Sequence, residues 1–177
     1  MNNPPPAPAL AMDEATFQVF YEQTVRGVWR YVFVTCRNEA ITDDVIQDSY
    51  IKFLRYVDSN RSFQEQRAYL YRIAGTVLIS YMRGECAGRE RVGEDGEWPV
   101  RPVSDPNLAM DVQTALADVE PRERKLLWLA HVEGFSHNEI ADILGVAEHS
   151  IKVMLYRART KLKSLLKKRG LNREVRL

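Results

Sequence analysis

The chain has 177 residues, 45% of them hydrophobic and 28% charged, which gives room for one ordinary domain or two small helical ones and excludes a disordered polymer. The formal net charge is only +1, but the charge is unevenly spread: every charged residue from Lys152 to Arg173 is basic, while Glu39, Asp43, Asp44 and Asp48 cluster elsewhere. No apolar run is long enough to cross a membrane, and Met1 to Met12 has neither the basic start nor the apolar centre of a signal peptide. The expectation is a soluble, cytoplasmic protein without membrane insertion, its cysteines Cys36 and Cys86 reduced and Cys36 buried in an apolar run.

In chain order, residues 1–12 are proline-rich and read as a disordered tail. Phe17 to Cys36 has helical spacing, with Phe17, Phe20, Tyr21, Val25, Val28, Trp29, Val32 and Phe33 on one side. Thr42 is the expected N-cap of a second helix, with Asp43 and Asp44 in its first turn, where carboxylates favour the helix dipole. Ile46, Tyr50, Phe53, Leu54 and Val57 then recur on one face. After the polar stretch Asp58 to Gln66, a third helix over Arg67 to Arg83 carries Leu70, Ile73, Ala74, Val77 and Tyr81. Three amphipathic helices sharing a core follow.

Periodicity is lost from Gly84 to Asn107, where glycines and prolines accumulate, and this reads as a linker. Leu108 to Ala117 and Arg122 to Val132 are again helical, with Pro121 fitting a first turn. Ser136 caps the next helix and Glu139, three residues on, completes a capping box. Gly145 ends that helix in a left-handed turn. Ile151, Leu155, Ala158, Leu162 and Leu165 mark a final helix. No strand pattern is present, so the expected fold class is all-α, in two small helical domains.

Two short helices joined by a glycine turn, with this apolar set, describe a helix-turn-helix. Winding the second helix at about 3.6 residues per turn puts His149, Val153, Tyr156 and Thr160 opposite the buried side, flanked by Ser150 and Arg157. His149 and Ser150 can hydrogen-bond base edges, and Val153 can touch a thymine methyl. Lys152, Arg159, Lys161 and Lys163 are placed for phosphates, which supply affinity without sequence information. His131, His137 and His149 have no compact metal-ligand spacing with the cysteines. There is no nucleophile–base arrangement and no phosphate-binding glycine loop, so neither catalysis nor a cofactor is expected.

Several runs then resemble a known family. Glu120-Pro121-Arg122-Glu123-Arg124, Gly134 to Ala141, Leu144-Gly145-Val146, Ile151-Lys152 and Leu155 to Arg159 resemble region 4 of the extracytoplasmic-function (ECF) group of bacterial sigma factors. Asp43 to Asp48 with Phe53-Leu54 resemble region 2.2 of that group, and Arg67 to Ala74 resembles region 2.3 running into 2.4. The resemblance implies region 2 over residues 13–84, a linker over 85–107 and region 4 over 108–170. It implies core RNA polymerase as partner, with Asp44, Gln47, Asp48 and Phe53 of region 2 docking on the β′ clamp helices and region 4 also contacting the β flap.

The resemblance also implies promoter DNA as ligand. Melting and capture of the −10 element would fall to Gln64, Gln66, Arg67, Tyr69, Tyr71, Arg72, Thr76, Ser80 and Arg83, with Phe63 to Gln66 forming a loop that holds a flipped base. The −35 element would be bound by His149, Ser150, Lys152, Val153, Tyr156, Arg157 and Arg159. An anti-sigma factor is a further implied partner. The chain departs from the usual pattern at Tyr69, where the family has Trp, at Thr76 and Ser80, where it has Asn and Asp, and at Met154, where Arg is common. The alternative is a stand-alone helix-turn-helix regulator, which leaves the acidic helix and Tyr69-Tyr71 without a role.

Overall fold

The computed structural model describes residues 12–85, 116 and 118–168, and the described residues form six helices with no strand. Helix α1 spans Glu14–Cys36, α2 Glu39–Tyr56 and α3 Phe63–Glu85; α4 spans Pro121–His131, α5 His137–Leu144 and α6 Glu148–Lys168. The expected all-α fold is thus what the chain adopts.

Local chemistry sets the boundaries. Asp13 caps α1 by accepting from the Thr16 amide at 2.9 Å, and these hydrogen bonds from Thr16 hold its carboxyl below the usual range. The helix closes on Arg37, a non-glycine residue at φ 54° whose N–H reaches Phe33 O. Asn38 then caps α2, so Thr42 is not the cap: it lies one turn inside, buried, with its hydroxyl donating back to Asn38 O at 2.7 Å. Asn outranks Thr as a cap, and its position leaves Asp43 and Asp44 in the second turn. Cys36 is half-buried rather than buried, and its thiol lies 3.3 Å from the Thr42 hydroxyl.

Helix α3 also begins earlier than its apolar pattern suggests. The Glu65 carboxylate accepts from the Ser62 amide at 2.9 Å and hydroxyl at 2.6 Å, while the Glu65 amide donates to Ser62 Oγ at 3.4 Å. This capping box makes Phe63 to Gln66 the first turn of α3, not a loop before it. The expected helix over Leu108 to Ala117 lies mostly outside the described residues.

In the first three helices, Phe20 stacks on Phe53 with centroids 4.7 Å apart, and Thr24 shares a 2.7 Å hydrogen bond with Tyr50. In the second three, Pro121 opens α4, Ser136 and Glu139 form the expected capping box, and Gly145 at φ 65° ends α5. One buried cluster runs through both halves: Val28, Tyr31, Leu70 and Tyr71 belong to it together with Trp128, Phe135, Ile140 and Leu155. Helix α4 packs on α1, and α5 packs on α3. A smaller cluster of Val119, Leu127, Ala158, Leu162 and Leu166 joins α4 to the end of α6.

Candidate nucleic-acid and polymerase interfaces

Helix α6 buries Ile151, Leu155, Ala158, Leu162 and Leu166 against α4 and α5. The opposite side is open: Tyr156 is 70% and Val153 50% exposed, and His149, Lys152, Arg157 and Thr160 are exposed beside them. Ser150 is half-buried. Together they make a mixed apolar and basic face. Two of the cations have protein partners. Arg159 Nε donates to His131 Nε2 at 3.1 Å, which requires a neutral imidazole, and burial followed by the Arg159 charge holds His131 below its ordinary value. Lys161 binds Glu123 at 2.8 Å, and that hydrogen bond raises its pKa. Met154 is half-buried against the core, so it borders the open face.

On α2, Asp44 and Gln47 are exposed. Asp48 is half-buried, and its Oδ2 accepts from Tyr81 OH at 2.9 Å. Phe53 is fully buried. It shares the inward face with Ile46, Ser49 and Tyr50 at positions i, i+3, i+4 and i+7, so it belongs to the core and not to the acidic surface where it was expected.

Helix α3 sorts the expected −10 residues into two groups. Arg72, Thr76, Ser80 and Arg83 are exposed and Tyr69 half-buried; their spacing places them along one strip of the helix. Gln64 is exposed in the first turn. Gln66, Arg67 and Tyr71 face inward instead. Gln66 is 8% exposed and donates to Arg61 O at 3.0 Å. Tyr71 is fully buried, and burial followed by the neighbouring Glu133 charge raises its phenol well above the ordinary value. In this conformation none of the three is offered to a nucleic acid.

Beside the exposed strip, a cleft of about 180 Å³ is lined by Lys52 and Tyr56 of α2 and by Tyr69, Arg72, Ile73, Thr76 and Val77 of α3. Tyr56 is 69% exposed, and Arg61 lies 5.9 Å from the Tyr69 ring. Two aromatic rings flanked by cations can stack an unpaired base and hold its phosphates. Lys52 and Tyr56 were missed in the sequence; the available signal was their i, i+4 spacing on the polar side of α2.

The two halves are joined through Glu133, in the turn after α4. Its Oε2 accepts from Arg67 Nη2 at 2.7 Å and from Tyr71 OH at 2.6 Å, and its Oε1 accepts from Trp128 Nε1 at 3.0 Å. Arg67 also reaches Glu133 O at 3.1 Å, with its guanidinium 4.3 Å from the Phe135 ring centroid. A second tie is Arg124, 5% exposed, which donates to Val34 O, Leu116 O and Val119 O.

The comparisons with known proteins bear on both halves at once. Residues 20–86 match the family Sigma-70 region 2, and residues 109–162 match Sigma-70, region 4. The chain belongs to the sigma-70 family. Its relatives place it in the ECF group. It is similar to the ECF RNA polymerase sigma factor SigX of Bacillus subtilis, at 24% identity over 178 residues, covering 93% of this chain and 92% of that one. Similarity to the ECF sigma factor SigL of Mycobacterium tuberculosis is 26% over 172 residues, covering 93% and 97%.

Among solved structures, the fold is like that of the sigma factor RpoE in complex with the anti-sigma factor NepR from Bartonella quintana, with TM-score 0.70, 21% identity and coverage of 85% and 96%. It is also like CnrH in complex with the cytosolic domain of CnrY, with TM-score 0.60, 21% identity and coverage of 88% and 90%. As an ECF sigma factor, the protein binds core RNA polymerase and directs transcription initiation at promoters. Region 2 contains α1 to α3, and region 4 contains α4 to α6. The network around Glu133 therefore ties region 4 to region 2 in this sigma factor. None of its region 4 members was legible as such from the sequence, although a glycine at position 27 inside an otherwise regular helix does mark a close approach.

Proposed function

We propose that the two regions divide the promoter between them. Residues 13–84 dock on core polymerase and capture the −10 element, residues 108–170 bind the −35 element, and residues 85–107 connect them. The docking face is Asp44, Gln47 and Asp48, and the carboxylates of Asp44 and Asp48 suit the basic side of a coiled coil such as the β′ clamp helices. The −10 surface is the exposed strip of Tyr69, Arg72, Thr76, Ser80 and Arg83, extended by Lys52 and Tyr56. The −35 surface is the open side of α6, with His149, Val153 and Tyr156 toward bases and Lys152 and Arg157 toward phosphates; region 4 also meets the β flap.

The observation that best supports this reading is the α2–α3 cleft, because its paired tyrosines and flanking cations suit unpaired bases and Tyr56 is left 69% exposed. A stand-alone helix-turn-helix regulator would not need it. The protein's own role is binding rather than catalysis, and it needs no cofactor. It works in the cytoplasm with its polymerase. The complexes of RpoE with NepR and of CnrH with CnrY support an anti-sigma partner here as well.

The test is reconstitution with core polymerase. The wild-type chain should form a stable holoenzyme and initiate on a promoter selected from random DNA. Asp44→Arg should weaken holoenzyme formation tenfold or more; Asp44 is a cleaner probe than Asp48, which Tyr81 already engages. Tyr56→Ala should weaken binding to a fork with a single-stranded −10 segment by about ten- to a hundredfold, the worth of one stacked base, while leaving duplex −35 binding intact. Failure to form holoenzyme would refute the polymerase reading, and unchanged fork binding would remove the cleft from it.

A further inference from the structure

Two cations of α6 are held by residues of α4, and they are held differently. Lys161 meets the Glu123 carboxylate at 2.8 Å, so its charge is balanced within the protein. Arg159 Nε donates to His131 Nε2 at 3.1 Å. That acceptor carries no charge, so the contact fixes the guanidinium without cancelling it. Only Nε is engaged by this hydrogen bond, and the two terminal nitrogens keep their donors in a planar fork suited to phosphate oxygens.

The place of Arg159 on its helix gives the contact a use. Lys152, Tyr156, Arg159 and Lys163 recur at i, i+4, i+7 and i+11, which puts them on one line along α6. Lys152, Tyr156 and Lys163 are exposed and Arg159 is half-buried. His131, the last residue of α4, meets this line from outside the helix-turn-helix. Ordering a long side chain when DNA binds costs affinity. An acceptor already in place removes part of that cost before DNA arrives.

The surroundings of the imidazole keep it an acceptor. Burial, followed by the Arg159 charge, holds its pKa below the ordinary value. Tyr156 and Lys163 lie a turn to either side of Arg159 on α6, and neither would favour an imidazolium. Glu133, two residues on, turns its carboxylate to Arg67, Tyr71 and Trp128 instead. Among the described residues no carboxylate pairs with His131.

We propose that His131 is a positioning residue for −35 recognition: its neutral imidazole holds the Arg159 guanidinium ready for a phosphate of the duplex. The inference rests on the assignment of α6 to the −35 element given above. It adds to that surface a residue of α4 whose protonation withdraws the acceptor and sets a second cation against Arg159.

The test is filter binding of the full chain to a duplex carrying the −35 element selected by the reconstituted holoenzyme. At pH 7.5, His131→Leu should weaken binding about three- to tenfold, the ordering cost of one long side chain. His131→Gln, whose amide oxygen can accept in place of Nε2, should restore most of it. In a chain carrying Arg159→Ala, His131→Leu should make no further difference, whereas a residue that merely steadied the fold would weaken binding in both backgrounds. From pH 7.5 down to pH 5 the wild-type chain should lose affinity relative to His131→Gln; His137 and His149 are present in both chains, so the ratio isolates His131. Wild-type binding by His131→Leu, no rescue by glutamine, additive losses in the Arg159→Ala background, or a wild-type chain that gains on His131→Gln as pH falls would each overturn the proposal. Lys152→Ala reports on the reading beneath it. If that change leaves the salt dependence untouched, the −35 surface itself falls; if it lowers the slope while the His131 variants stay silent, only the positioning role falls.

Discussion

Arg124→Ala tests how tightly region 4 is tied to the end of α1. The guanidinium is 5% exposed and spreads its donors over three carbonyls, Val34 O at 2.9 Å, Leu116 O at 2.9 Å and Val119 O at 2.8 Å. Val34 O is among the last carbonyls of α1, which have no partner within the helix, and a cation there also meets the negative end of the helix dipole. Burial lowers the Arg124 pKa, but a guanidinium starts so far above neutrality that it stays charged at neutral pH. Hydrogen bonds to a charged group contribute about 1.5–3 kcal/mol each. Water can reach some of the carbonyls once the side chain is gone, and the cost of burying the charge is recovered. The expected net loss is therefore about 3 kcal/mol, not the full sum. That lowers the thermal midpoint by roughly 6–12 °C for a fold of this size, measured by circular dichroism with a matching urea midpoint. Arg124→Lys should recover less than half of it, because an ammonium on a linear stem cannot span three diverging carbonyls. A loss below about 1 kcal/mol, or full recovery by lysine, would refute the account.

Other perturbations address the remaining features. Ser136→Ala removes the oxygen that caps α5 and should cost about 1 kcal/mol, with faster hydrogen exchange at Ile140 and Ala141; unchanged exchange would mean that packing alone holds the helix. His131 gives the protein a pH dependence. Its folded pKa lies below the ordinary 6.5, so the unfolded chain binds the proton first. Its contribution is present above about pH 6.5 and is lost as pH falls through the folded pKa. Urea midpoints at pH 7.5 and 5.5 should show the drop, and His131→Gln should reduce it. Lys152→Ala should lower the log–log salt slope of −35 DNA binding by about 0.9, whereas Tyr156→Ala should change which sequences are preferred. A uniform loss of affinity in the Tyr156 variant would confine that residue to backbone contacts.

What could be read in the sequence was whatever a local pattern encodes. The 3.6-residue period gave the helices, and the Ser136–Glu139 box with Gly145 placed the turn of the helix-turn-helix because capping depends on residues three apart. The open face of α6 followed from winding alone. The Ser62–Glu65 box has the same form and was overlooked, because its helix starts with polar residues before the apolar stripe begins. Phe53 was assigned to a surface by resemblance, although its own spacing with Ile46 and Tyr50 turned it inward. Tyr71 illustrates a different limit. Helical phase leaves an aromatic at the edge of a stripe undetermined, and a neighbour 62 residues away, Glu133, decides it. Glu133, Arg124 and Gly27 act across the boundary between regions, where sequence spacing carries no distance information.

The packing of α5 on α3 leaves the side of α6 away from the core in water. Arg67 is occupied by Glu133, but Lys152, Val153, Tyr156 and Arg157 on α6 remain open to solvent. Attachment of the chain to duplex DNA through this exposed basic side should weaken steeply as salt is raised, which a filter-binding series at increasing salt measures.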